Sequence, residues 1–137
     1  MTSRLTELVV DCHDPQRLPA FWREVLDFTV LDRSEGRVEI GSWDPTAEAV
    51  RAGQMTPTLV FVQVPESKIV KNRLHLDVNP IDASTDDEVA RLLSLGATTV
   101  DEGQDPARNW TVTADPEGNE FDVLRTLAPP THAAPTA

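Results

Sequence analysis

Residues 5–26, LTELVVDCHDPQRLPAFWREVL, set the pattern from which the rest of the chain is read. The first eight alternate, with Leu8, Val10 and Cys12 to one side and Glu7, Val9 and Asp11 to the other, the period of a strand with two unlike faces. Asp14-Pro15 then supplies a helix start: a capping side chain, followed by a residue whose fixed φ suits the first helical position. Leu18, Phe21, Trp22, Val25 and Leu26 recur at helical spacing and make one apolar stripe. Pro19 removes a backbone donor from this helix, so either its first turn is distorted or the regular helix begins at Leu18-Pro19.

Working outward, residues 28–31 and 37–40 read as a hairpin around Ser34-Glu35-Gly36. Residues 44–57 read as a loop with a helical turn over 47–51, and 58–64 (TLVFVQV) as an apolar strand. The same order then returns. Residues 73–78 (RLHLDV) alternate as a strand, with Leu74 and Leu76 on its apolar side. Ser84-Thr85-Asp86-Asp87-Glu88 offers two capping boxes, Ser84 with Asp87 or Thr85 with Glu88. Val89, Leu92, Leu93 and Leu95 form the stripe of a helix that Gly96 ends. Residues 98–100, 110–114 and 120–126 are the last three strands. The chain is thus βαβββ twice, about 65 residues each, and a repeat at this scale dictates the architecture. The expected fold class is α+β, a single domain over 1–126, with module one at 1–64, a linker at 65–72 and module two at 73–126. Residues 127–137 (LAPPTHAAPTA) are low in complexity and are expected to form a loose tail.

Composition narrows the classes of function. The 137 residues carry 23 Asp and Glu against 12 Lys and Arg, a net charge of −11. A partner built on a phosphate backbone or an anionic membrane surface needs a basic patch, which this balance opposes, so no nucleic-acid and no membrane partner is expected. No apolar run approaches the ~20 residues of a membrane span. Met1-Thr2-Ser3-Arg4 leads straight into the first strand without a signal-peptide core, and the one cysteine, Cys12, permits no internal disulfide. A soluble, cytoplasmic protein is the expectation.

Two βαβββ modules carrying VVDCHDPQRLPAFWREVLDF (9–28) and WTVTADPEGNEFDVLR (110–125), with VPESKIVKNRLHLDV (64–78) between them, resemble the vicinal oxygen chelate superfamily. That superfamily holds glyoxalase I, bleomycin-resistance proteins and extradiol dioxygenases, and the closer resemblance is to bacterial glyoxalase-like domain proteins. It covers nearly all of residues 5–125. It implies that each module curls its strands into a half-barrel sheet and that the two enclose one cleft. It also implies a homodimer, since members often pair and some exchange modules.

Members that are enzymes hold a divalent metal with side chains from the first and last strand of each module. Carried over by position, the resemblance implies Glu7, His75 and Asp122 as metal ligands. A fourth would come from 58–64, where Gln63 is the candidate; aligning Phe61 with Phe121 instead puts Val62 at that place. Strand parity gives an independent reading, because Glu7 and Asp11 share a face, as do Arg73, His75 and Asp77, and also Glu120 and Asp122. One imidazole with carboxylates suits Zn, Ni, Mn or Fe, whereas the two-His-one-carboxylate iron triad is not built.

Other residues have plainer readings beside their functional ones. Arg73 would pair with Glu7, Glu120 or Asp122 without any metal. Trp43 and Trp110 could stack a planar ligand or serve the core or rim. Cys12 lies on an apolar face and reads as a buried hydrophobe. His13 belongs to the turn before the first helix, and Lys68 and Lys71 could hold an anionic ligand group or a second subunit, or lie in a solvated linker. No phosphate loop, Ser-His-Asp order or HExxH occurs. The leading expectation is a glyoxalase-like small-molecule-binding protein whose cleft is lined by Glu7, Gln63, Arg73, His75, Glu120 and Asp122, with Trp43 and Trp110 nearby. If it is an enzyme, it would be a metal-dependent lyase or isomerase of the glyoxalase type in which Glu120 moves the proton. The alternative is a metal-free sequestering protein of the bleomycin-resistance kind, binding a bulky and often cationic compound.

Overall fold

A computed structural model describes residues 1–100 and 110–127. The chain forms two compact units, Met1–Ser67 and a second beginning at Lys68.

The first unit holds β1 (Glu7–Cys12), α1 (Arg17–Leu26), β2 (Thr29–Ser34), β3 (Arg37–Gly41), α2 (Ala47–Ala52) and β4 (Thr58–Gln63). Its sheet runs β1-β4-β3-β2, with β1 parallel to β4 and the other pairs antiparallel. Exposure along β1 alternates as the sequence pattern requires, ending on the buried Cys12. Pro19 proves harmless because the helix starts at Arg17, so its missing N–H falls among the first donors that no helical carbonyl could reach. Asp14 stands one turn earlier, where its Oδ1 accepts from the backbone N–H of Gln16 and Arg17, both at 3.0 Å. Those two bonds hold its carboxyl below the usual aspartate range. Leu18, Phe21 and Trp22 form the buried face of α1, the last two edge to face with ring centroids 5.4 Å apart. They share the core of this unit with Val38, Ile40, Leu59 and Phe61. The hairpin turns at Gly36, whose φ of 70° is one that glycine adopts without strain. The expected turn over 47–51 is α2, capped by Thr46 through a 3.1 Å bond from Ala49 N–H.

The second unit repeats the plan with β5 (Asp77–Val78), α3 (Thr85–Leu95), β6 (Thr98–Thr99), β7 (Thr111–Ala114) and β8 (Glu120–Val123). Its order, β5-β8-β7-β6, has β5 parallel to β8 and reproduces the first sheet strand for strand. Of the two candidate capping residues, Ser84 is the N-cap, its Oγ accepting from Asp87 N–H at 3.1 Å. Gly96 ends α3 at a φ of 119°. Leu92, Val112, Phe121 and Val123 are buried. The protein is therefore α+β, two tandem βαβββ units.

One strand departs from expectation. Of residues 73–78, only Asp77 and Val78 pair with β8, and the chain before them is irregular. Leu74, expected on an apolar face, is 85% exposed. Alternation makes a strand only where a neighbour offers unpaired backbone groups. Here the last such contact toward the N-terminus is Asp122 N–H to the carbonyl of Leu76, at 3.0 Å. At the other end, β8 ends at Val123 rather than 126, though Leu124 N–H still reaches Val78 (2.7 Å) and Leu127 N–H reaches Pro80 (2.6 Å). Most of the expected tail, 128–137, lies outside the described residues. No helix among the described residues is long and apolar enough to cross a membrane.

Candidate metal centre

The turn between β7 and β8 places the site. Asp115 is buried, and its Oδ1 accepts from the backbone N–H of Glu117 (2.9 Å) and Asn119 (3.0 Å), while its Oδ2 accepts from Asn119 Nδ2 at 2.9 Å. Gly118, at a φ of 88°, lets the chain reverse inside this loop. Glu120 starts β8 directly afterwards. From there parity sends Phe121 and Val123 into the core and leaves Glu120 and Asp122 on the other face.

Parallel pairing sets Asp77 of β5 opposite Asp122. His75, two residues earlier, brings Nδ1 to 3.2 Å from Asp77 Oδ1 and 3.3 Å from Asp122 Oδ2. One donor atom from each of the three lies within 4.8 Å of the others. Ligands about 2.1 Å from a common ion stand about 3 Å apart when adjacent and about 4.2 Å when opposite. The two separations from His75 Nδ1, 3.2 and 3.3 Å, are close to that of adjacent ligands of a single cation. Asp122 is the enclosed member, its side chain 14% exposed, against 42% for His75 and 47% for Asp77. Asp77 was not among the residues expected to bind metal, although it shares the parity signal of His75.

Glu120 is held differently. It accepts from the backbone N–H of Asn72 (3.3 Å) and forms an ion pair with Lys68. Burial pushes its carboxyl upward, but the Lys68 ammonium and the Asn72 N–H outweigh that and leave it below the usual glutamate range. The basic partner of this carboxylate is thus Lys68, not Arg73. Arg73 is exposed in the irregular segment, and Asp122 is met by His75.

The first unit offers no such cluster among its described residues. The two sheets can be superposed in register by equating the buried Phe61 and Phe121. Asp11, opposite Val62, then matches Asp77, opposite Asp122, and Val9 matches His75. Glu7 lies two residues before Val9, exposed at the start of β1 opposite Thr58. Gln63 does not share its face. Glu7 pairs with Thr58 and Cys12 with Gln63, so Gln63 falls on the side of Cys12, Leu59 and Phe61. There its Nε2 donates to the His13 carbonyl at 3.2 Å and helps line an open cavity of about 610 Å³ with His13, Gln16, Arg33 and Gly36. Trp43 donates its indole N–H to the Thr56 carbonyl at 3.2 Å, which closes the loop carrying α2. Trp110 is 40% exposed just before β7.

A model of the glyoxalase-like domain family matches residues 7–124. No curated protein matches the sequence. Among solved structures, the chain is similar to a glyoxalase/bleomycin resistance/dioxygenase family enzyme from Burkholderia phytofirmans PsJN (20% identity, TM-score 0.62, covering 88% of this chain and 97% of that one). It is also similar to the fosfomycin resistance protein FosX from Mesorhizobium loti (16% identity, TM-score 0.65, 90% and 92% covered). A third is a mutant of FosX from Listeria monocytogenes, complexed with Mn(II) and 1S,2S-dihydroxypropylphosphonic acid (12% identity, TM-score 0.64, 92% of each chain). At these identities the likeness is one of fold.

Proposed function

The chain belongs to the glyoxalase-like domain family, and from that premise we propose that it binds a small molecule beside a divalent cation held by His75, Asp77 and Asp122. The observation that carries this reading is the meeting of one imidazole and two carboxylates where the chain enters β5 beside β8. A mixed nitrogen and oxygen donor set favours Zn, Ni, Mn or Fe(II) over calcium. The Mn(II) bound to the Listeria FosX, alongside a molecule with two neighbouring hydroxyls, supports a divalent ion on this fold. Glu7 is left out of the ligand set because the place on β1 that corresponds to His75 is held by Val9.

A cation bound there would supply a Lewis acid for two neighbouring oxygens of a substrate, the chemistry of a lyase or isomerase of the glyoxalase type. The protein's part is to hold the donors in place. Asp77 and Asp122 stand against the ring of His75 and would share the cation with it, and Asp122, the most enclosed, would set the depth of the site. Three protein ligands leave positions open for substrate. The exposed apolar side chains of Ile69, Val70 and Leu74 support a homodimer, which light scattering reads directly.

The test is metal analysis of the purified, untagged chain, then titration with Mn, Ni, Zn and Fe(II) while the melting temperature is followed. A single site at a hundredfold excess over its dissociation constant adds about 2.7 kcal/mol to stability. That gain should disappear in His75→Ala and in Asp122→Ala, and on chelation in the wild type. A gain that survives both substitutions refutes the ligand set. If no metal stabilises the chain at all, the metal-free sequestering protein becomes the working reading, and planar and cationic compounds are the ligands to titrate.

A further inference from the structure

His75 does not stand on a strand. It lies in an irregular segment, 68–76, that β8 and the residue before it hold at spaced points. Asn119 Oδ1 accepts from Asn72 Nδ2 at 3.5 Å, Glu120 takes both Lys68 and the Asn72 N–H, and Asp122 N–H donates to the Leu76 carbonyl at 3.0 Å. Within a single chain the outer side chains of the segment add no packing, since Ile69, Val70 and Leu74 are 90%, 75% and 85% exposed. Between Asn72 and Leu76, among the described residues, the backbone is tied only at its two ends, and the one side chain anchored there is the ring of His75, against Asp77 and Asp122.

We propose that Glu120 is a positioning residue, whose carboxylate clamps the Lys68–Asn72 end of the segment and so sets His75 against Asp77 and Asp122. This rests on the metal reading above. It replaces the expectation that Glu120 carries a proton. A shuttling carboxylate needs a face open to substrate, whereas this one is occupied by an ammonium on one oxygen and shares a backbone N–H between both. Groups that orient a ligand without touching the metal commonly alter affinity 10- to 100-fold. The clamp acts from three residues away, so about tenfold is expected.

The experiment compares wild type, Glu120→Ala, Glu120→Gln and Lys68→Met as full-length chains. Three properties are read: Mn(II) affinity by titration, hydrogen exchange at the Asp122 N–H, and the His75 ring resonances by NMR. Glu120→Ala should weaken Mn(II) about tenfold, speed exchange at Asp122 and shift the His75 ring. Glu120→Gln, which still accepts from Asn72, should recover most of the loss. Lys68→Met should fall between them and serves if Glu120→Ala does not fold. Unchanged exchange and ring resonances in both Glu120→Ala and Lys68→Met overturn the proposal. So does a Glu120→Gln variant as impaired as Glu120→Ala. If the wild type binds no Mn(II), the metal reading has failed, and the exchange and ring resonances, measured without metal, still decide whether Glu120 positions His75.

Discussion

Replacing Asp115 by alanine should cost more than its place in a turn suggests. The side chain is 2% exposed, and its two oxygens accept four hydrogen bonds, from Glu117 N–H, from Asn119 N–H and twice from Asn119 Nδ2. Two further backbone bonds close the same loop, Asp115 N–H to Asn119 and Gly118 N–H to Asp115, both 2.9 Å. Hydrogen bonds to a charged acceptor are worth roughly 1.5–3 kcal/mol each, but the partners here are only half-buried and water can take up part of the loss. A net cost of about 2–3 kcal/mol follows for Asp115→Ala. For a chain of this length that is a fall in melting temperature of roughly 6–12 °C. Asp115→Asn keeps one acceptor oxygen for the two backbone donors and should lose about 1 kcal/mol. Urea denaturation of the two variants beside wild type measures both. A loss below about 0.5 kcal/mol for Asp115→Ala, or an Asp115→Asn as damaging as Asp115→Ala, would show that the carboxylate does not organise the turn. Because β8 starts one residue after the loop, the alanine variant should also weaken any Mn(II) stabilisation beyond what its own instability explains.

Three more outcomes follow from single residues. A methyl group on Gly41 would stand 2.9 Å from Leu31 Cδ1 and 3.0 Å from Thr58 Cγ2, so Gly41→Ala should cost about 1–3 kcal/mol by overpacking, read by thermal melting. Cys12 is 1% exposed and should stay unreactive toward a thiol reagent until denaturant unfolds the first unit; fast labelling of the native chain would contradict its burial. The carboxyl of Asp14 titrates below its ordinary value because it accepts from Arg17 and Gln16 N–H. A depressed folded value means that its stabilising contribution is complete above the unfolded aspartate value and is lost as pH falls through the folded one. The stability gap between wild type and Asp14→Ala should therefore be constant near neutrality and narrow in acid; a gap that widens in acid reverses the sign and refutes the assignment.

The order of elements was legible because it rests on local signals. Alternation in 8–12, the stripe of α1, the Ser84 cap and the Gly96 stop each depend on neighbours within a turn or a strand. What failed depends on pairing. Gln63 looked like a cleft residue by type and place. Its face, however, is fixed by the register Cys12↔Gln63, and a shift of one residue exchanges the faces of a strand. Residues 73–75 alternate as well as any strand here, yet have no strand partner among the described residues. By sequence Lys68 stays open between an anion-holding and a solvated linker residue, since nothing local connects it to a carboxylate 52 positions later.

The duplication sharpens the case for where chemistry resides. Both units have the same strand order, and both set an aspartate, Asp11 or Asp77, on the first strand opposite the last. At the two remaining places of the cluster, the first unit has Val9 and Val62 where the second has His75 and Asp122. Valine offers no lone pair, so among the described residues a shared architecture gives one sheet the donor set of a candidate cation site and leaves the other without it. The fold supplies the positions, and the side chains standing at three of them decide whether they form a site. Placing histidine at 9 and aspartate at 62 should therefore be the minimal change that gives the first unit a comparable cluster. A double variant, Val9→His with Val62→Asp, that takes up a second equivalent of Mn(II) would establish the equivalence. One that folds and takes up none would show that the irregular approach of residues 68–76 is itself part of the site, since in β1 position 9 lies within a regular strand.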